Sequence, residues 1–98
     1  MISNGQIEIV QGGLVSPDEA TTNYSDIIRN YEAAHDFVMT EFGIKPKVAW
    51  QLDPFGHSAA FAELYDYMGI EAIFMGRINE SDFVKRVENK NLQFLWSP

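Results

Sequence analysis

Along this chain, short continuous apolar runs alternate with stretches of helical spacing. Gln6 to Val10 carries Ile7, Ile9 and Val10 and is halted by Gly12-Gly13, which predicts a strand. A polar loop with helix-start character follows, Ser16-Pro17-Asp18-Glu19. From Thr22 to Phe42 the apolar positions are Ile27, Ile28, Tyr31, Ala34, Val38 and Phe42, spaced as on one helix face. Gly43 closes that helix and Pro46 lies beyond it. Lys47 to Leu52 predicts a second strand. Ser58 to Met68 predicts a second helix with Phe61, Leu64, Tyr65 and Met68 on one face and Gly69 past its end. Ile70 to Met75 is a third strand closed by Gly76, and Asp82 to Lys90 is a short helix with Lys85, Arg86 and Lys90 in its last turns, where the dipole favours cations. Leu92 to Trp96 completes the series as a fourth strand.

The predicted order is β-α-β-α-β-α-β. The strands are continuous apolar runs, as in a parallel sheet covered on both faces. The fold class is therefore α/β, and the chain reads as part of a larger α/β domain, since no helix follows to cover the last strand and an open edge invites aggregation.

Composition narrows the classes of function. At 98 residues the chain makes at most one domain, and 46% hydrophobic with 13% aromatic residues describes a globular chain. The net charge is −7, and residues 1–44 hold seven acids against one base, Arg29, which argues against a nucleic-acid or anionic-membrane partner. No apolar run is long enough to span a bilayer, and the opening residues lack the basic and apolar regions of a signal peptide. With no cysteines, thiolate catalysis and disulfides are excluded within this stretch. Two glycosylation tripeptides occur, Asn23-Tyr24-Ser25 and Asn79-Glu80-Ser81, a pattern that arises readily by chance.

The chemically loaded segment is Trp50-Gln51-Leu52-Asp53-Pro54-Phe55-Gly56-His57-Ser58. A strand ends on the carboxylate Asp53, Pro54 forbids further pairing, Gly56 allows a tight turn, and Ser58 is a candidate cap for the helix that follows. A carboxylate at the carboxyl end of a parallel strand stands where α/β proteins place their chemistry. Taken alone, an Asp-Pro pair after a strand serves a turn more often than a catalytic step.

That string, together with Gly12-Gly13-Leu14-Val15, Asp18-Glu19-Ala20-Thr21 and Gly76-Arg77-Ile78, resembles the catalytic domain of glycoside hydrolase family 38, the class II α-mannosidases. The resemblance runs almost end to end, and the Asp53 to Ser58 string is its most specific part. Leu14 replaces a usual Trp, Leu52 a usual Ile, Asn23 a usual His and Asn79 a usual Asp. The Asp53 to Ser58 string looks more like the lysosomal and Golgi branches than the cytosolic one, and Gly76-Arg77-Ile78-Asn79 looks closer to the lysosomal form.

The resemblance implies the rest. Residues 1–98 would be part of an N-terminal catalytic domain, a piece of a parallel β/α barrel-like architecture. The family implies a retaining mechanism, with Asp53 as nucleophile and as one ligand of a zinc ion that grips mannose hydroxyls, and with Phe55 and Arg77 as substrate-binding residues. The remaining zinc ligands and the acid/base group would lie outside these 98 residues. Terminal α-mannosides of N-linked glycans would be the substrate, and the lysosome, secretory pathway or vacuole the location. The alternative is a truncated, catalytically inert or partner-binding remnant.

Plainer readings stand beside these. His57 is expected to make a hydrogen bond at the helix start rather than bind metal, and His35 to be structural. Glu19 is explained by the dipole of a helix it would open. Trp50 and Tyr65 are expected in the core, and Arg77 is either a surface ion pair or a site residue.

Overall fold

The computed structural model describes residues 1–97, which form three helices and a two-stranded parallel sheet. The 19-residue helix α1, Tyr24–Phe42, is capped at both ends. Asn23 Oδ1 accepts the Asp26 N–H at 3.1 Å, and Gly43, at φ 66°, returns its N–H to Met39 O. Of the apolar stripe that the spacing predicts, Ile27, Tyr31, Ala34 and Val38 are buried, whereas Ile28 and Phe42 are exposed.

Strand β1, Val48–Gln51, pairs in parallel with β2, Ala72–Met75, in the register Val48 with Ala72 and Gln51 with Met75. Helix α2, Ala59–Tyr67, makes the crossover between them and buries Phe61, Leu64 and Tyr65. Ser58 takes the N-cap position of α2, but its side chain makes no capping hydrogen bond. One core joins α1, β1 and α2: Ile27, Tyr31, Ala49, Phe61, Leu64, Tyr65 and Ile70, with Met68 and Ile73 at its margin. The Tyr65 ring stands edge-on to Phe61 at 4.9 Å and to Tyr31 at 5.8 Å. Helix α3, Glu80–Glu88, starts at Asn79, carries an Arg86–Asp82 ion pair one turn apart, and buries no residue.

A polar cluster lies inside this core. Gln11 donates to the Tyr31 hydroxyl at 2.6 Å and to the Tyr65 hydroxyl at 3.1 Å, and the two hydroxyls are 3.0 Å apart. The Gln11 side-chain oxygen accepts the Trp50 N–H at 2.6 Å. Burial pushes both phenols above the ordinary tyrosine value, because it disfavours their charged form.

Three expectations are corrected. The segments Gln6–Val10 and Leu92–Trp96 are not strands, so β-α-β-α-β-α-β reduces to α-β-α-β-α among the described residues. Gln6–Val10 runs up to β1, where the Gln11 N–H reaches Val48 O at 2.7 Å, but two consecutive left-handed residues, Gln11 at φ 63° and Gly12 at φ 74°, turn the chain away before a ladder can extend. The Gln11 side chain then satisfies β1 in place of a strand. In Leu92–Trp96, Leu95 is fully exposed and Phe94 is half exposed under the Arg86 guanidinium, at 5.0 Å; an apolar run becomes a strand only beside a partner edge. Trp50, expected in the core, is 46% exposed: it faces Phe74 at 5.9 Å on the sheet face away from the helices.

Candidate active site at the strand ends

The two parallel strands end side by side, and their carboxyl ends carry the candidate residues. The Gly76 N–H donates to Gln51 O at 2.8 Å, continuing the ladder one residue past β2. A Cβ at position 76 would stand 2.4 Å from the Leu52 carbonyl oxygen, so only glycine permits this approach. The next residue, Arg77, sits in the left-handed region at φ 50°, a conformation that costs a non-glycine residue on the order of 1 kcal/mol. This turns its side chain back across the strand ends.

There Arg77 meets Asp53. Its Nε–H donates to Asp53 Oδ1, and its guanidinium carbon lies 4.7 Å above the centre of the Phe55 ring. The three candidates Asp53, Phe55 and Arg77 thus converge on one spot. Asp53 and Arg77 are 75% and 51% exposed at the side chain, so the pair adds little to folding stability. The placement of Arg77 is set by its backbone.

The turn that presents Asp53 is held from the loop at residues 17–19. Gln51, buried at the end of β1, donates its side-chain N–H to Pro17 O at 3.0 Å. Asp18 accepts the Phe55 N–H at 2.9 Å and the Ala20 N–H at 3.1 Å, and these bonds hold its carboxyl below the ordinary carboxylate value. Glu19 Oε2 lies 2.7 Å from His57 Nδ1, and His57 Nε2 donates to the Gly76 carbonyl at 3.0 Å. Three successive loop residues therefore bond to positions 51, 55 and 57.

Two expectations change here. Glu19 opens no helix, since α1 begins at Tyr24; its carboxylate is matched to His57 instead. His57 makes no helix-start bond, because both ring nitrogens are taken by Glu19 and Gly76, which also leaves neither free for a metal. His35 bonds the Gln11 carbonyl at 3.2 Å, a structural role. Among the described residues no three His, Cys, Asp or Glu side chains group to hold a metal ion, and a tetrahedral zinc site needs four ligands. Asp53 offers one carboxylate oxygen beyond the one bonded to Arg77. Asp18 and the Glu19–His57 pair were not among the candidate site residues: Glu19 and His57 are 38 positions apart, and no local pattern links them.

No helix among the described residues is long and apolar enough to cross a membrane. Residues 1–98 match the glycosyl hydrolases family 38 N-terminal domain. The chain is 41% identical over 96 residues to a lysosomal alpha-mannosidase of Dictyostelium discoideum, covering 98% of this chain and 10% of that protein. It is 42% identical over 97 residues to an alpha-mannosidase of Arabidopsis thaliana, covering 98% and 10%. It is 38% identical over 96 residues to alpha-mannosidase 2 of Homo sapiens, covering 98% and 8%. It spans about a tenth of the length of these relatives. The chain therefore belongs to glycosyl hydrolase family 38, as a stretch of that family's N-terminal domain.

Proposed function

We propose that residues 1–98 form the nucleophile-bearing part of the catalytic domain of a zinc-dependent retaining α-mannosidase, in which Asp53 attacks the sugar and Phe55 and Arg77 hold it. The observation that carries this reading is the convergence of Asp53, Arg77 and Phe55 beyond the carboxyl ends of two parallel strands. The wider architecture would be a β/α barrel-like domain whose further strands come from sequence outside this chain.

Asp53 Oδ2 forms a bond to the anomeric carbon while the glycosidic C–O bond breaks, and the departing oxygen takes a proton from an acid/base carboxyl outside this chain. Water then attacks the same carbon, gives its proton to that carboxylate, and releases mannose and Asp53. Arg77 binds Oδ1, which leaves Oδ2 to react. Phe55, exposed beside the pair, offers an apolar face to the sugar ring. A zinc ion, when bound, would orient and distort the sugar through its hydroxyls, and Asp53 would contribute one of its ligands through the second lone pair of Oδ1, so that Oδ2 stays free to react.

The name of the relative in Dictyostelium discoideum supports a lysosomal or secretory-pathway location and an α-mannoside as substrate; terminal α-mannosides of N-linked glycans are the substrate of this proposal. The test is Asp53→Asn in a full-length family 38 enzyme carrying residues 1–98 in place of its own matched stretch. Loss of kcat by about a thousandfold or more, with zinc retained, supports the assignment, because an amide cannot attack the anomeric carbon. A variant keeping a tenth of the activity with zinc intact contradicts it.

The second reading, an inert or partner-binding remnant, is favoured for the isolated chain by its single candidate zinc ligand among the described residues. On that reading the 98-residue chain releases nothing from a chromogenic α-mannoside, whether or not zinc is added.

A further inference from the structure

The structure assigns His57 and Glu19 a positioning role: together they fix the Gly76–Arg77 peptide so that Arg77 is aimed at Asp53. This inference rests on the reading of Asp53 and Arg77 as the reacting and substrate-holding residues.

The Gly76 carbonyl belongs to the peptide plane whose rotation sets φ of Arg77. That plane is held at its oxygen by His57 Nε2 at 3.0 Å, and the peptide before it is held at the Gly76 N–H by Gln51 O at 2.8 Å. Between these two bonds Arg77 keeps φ 50°, the conformation that returns its guanidinium over Phe55 and onto Asp53. A carbonyl oxygen can only accept, so Nε2 carries a proton. The Glu19 carboxylate at Nδ1, 2.7 Å away, then fixes the ring's orientation so that Nε2–H meets the Gly76 oxygen. The Glu19 side chain is only 6% exposed, so it is an enclosed anchor rather than a solvated surface charge. Without the His57 bond the peptide is free to rotate toward a relaxed φ at position 77, and the guanidinium leaves the strand ends. Neither residue touches the sugar; both act through Arg77.

The test is a double-mutant cycle in the full-length enzyme described above, with kcat/KM normalised to folded, zinc-loaded protein. His57→Phe, which removes the donor, is expected to lower kcat/KM by about tenfold to a hundredfold, the scale of a small misplacement in a site. His57→Gln, whose side-chain N–H can still reach the Gly76 oxygen, recovers most of that loss. Glu19→Ala moves in the same direction as His57→Phe, and Glu19→Gln, whose side-chain amide can still hydrogen-bond Nδ1 as donor or acceptor, loses less. In an Arg77→Ala background His57→Phe has no further effect beyond about twofold, because the group it positions is gone. Full additivity of the two losses overturns the inference while leaving the site reading intact. So does a His57→Phe enzyme that is less stable but unchanged in normalised kcat/KM, or a His57→Gln enzyme no better than His57→Phe. Unchanged kcat/KM in Arg77→Ala overturns the site reading and this inference together.

Discussion

Arg77 donates its Nε–H to Asp53 Oδ1 from a left-handed backbone position, so an exposed ion pair is held in place by the chain rather than by its own attraction. Pairs of this exposure contribute little to stability, and the geometry is better explained by what Arg77 does to the carboxylate. If so, charge alone does not replace it. Arg77→Lys in the full-length enzyme is expected to reduce kcat/KM by about tenfold or more, since lysine has no planar fork for contacting two oxygens at once. An indifferent response in steady-state kinetics makes Arg77 a surface ion pair and nothing more.

Gly76 is the tightest point of the site. Gly76→Ala places a methyl 2.4 Å from the Leu52 carbonyl oxygen, which forces the ends of β1 and β2 apart and moves Arg77 with them. The expected outcome is a loss of about a hundredfold in kcat/KM together with a stability loss on the order of 1–3 kcal/mol. Heat-inactivation profiles and steady-state kinetics on the same preparation check both parts. Wild-type kinetics would show that the strand ends can separate without consequence for Arg77.

Acid dependence follows from Asp18. Its folded-state carboxyl lies below the ordinary value because it accepts the Phe55 and Ala20 N–H groups. The stabilisation of the Asp53 turn is therefore present above the unfolded value, about pH 4, and is lost as pH falls through the lower folded value. Asp18→Asn keeps one acceptor oxygen but not the charge, so it weakens these bonds at every pH where the wild-type group is ionised. The ratio of wild-type to Asp18→Asn kcat/KM is expected to exceed one at pH 5, to hold down to about pH 4, and to fall toward one only below it, as the pH passes through the lowered folded value. A ratio that rises on acidification reverses the sign and contradicts the assignment.

Gln11 offers a contrast between stability and catalysis. Gln11→Leu takes the acceptor from the Trp50 N–H and a donor from the two buried hydroxyls, Tyr31 and Tyr65. Leaving such groups unpaired costs about 1–3 kcal/mol. The half-inactivation temperature of the full-length enzyme should fall while kcat/KM at low temperature stays within about threefold. A large kinetic loss without a thermal shift would place the Gln11 cluster in the site instead of the core.

What could be read from the sequence divides along the line between local and tertiary information. Helix α1 and the buried face of α2 were legible because Ile27, Tyr31, Ala34 and Val38, and then Phe61, Leu64 and Tyr65, repeat with the helix itself. The turn after β1 that carries Asp53 was legible because Pro54 and Gly56 carry backbone instructions of their own. Ile7 to Val10 and Leu92 to Trp96 have strand composition, yet whether they form strands depends on a neighbouring edge that composition cannot report. Trp50 failed for a related reason: a continuous apolar run does not reveal which face of a sheet is covered. Within the site, Asp53, Phe55 and Arg77 were found through the family resemblance of their strings, and the structure brings all three together. The Glu19–His57–Gly76 chain and the Asp18 bonds to the turn were invisible, because each joins segments that only the fold makes adjacent.

The most direct measurement is covalent trapping of Asp53. The full-length enzyme carrying residues 1–98 is incubated with a fluorinated mannosyl fluoride, a reagent that forms a glycosyl-enzyme faster than it is hydrolysed, and is then digested and mapped by mass spectrometry. The predicted result is one fluoromannosyl adduct on the peptide spanning Trp50 to Ser58, attached at Asp53 and absent from the Asp53→Asn enzyme. An adduct on any other carboxylate, with Asp53 unmodified and the enzyme inactivated, would contradict the account.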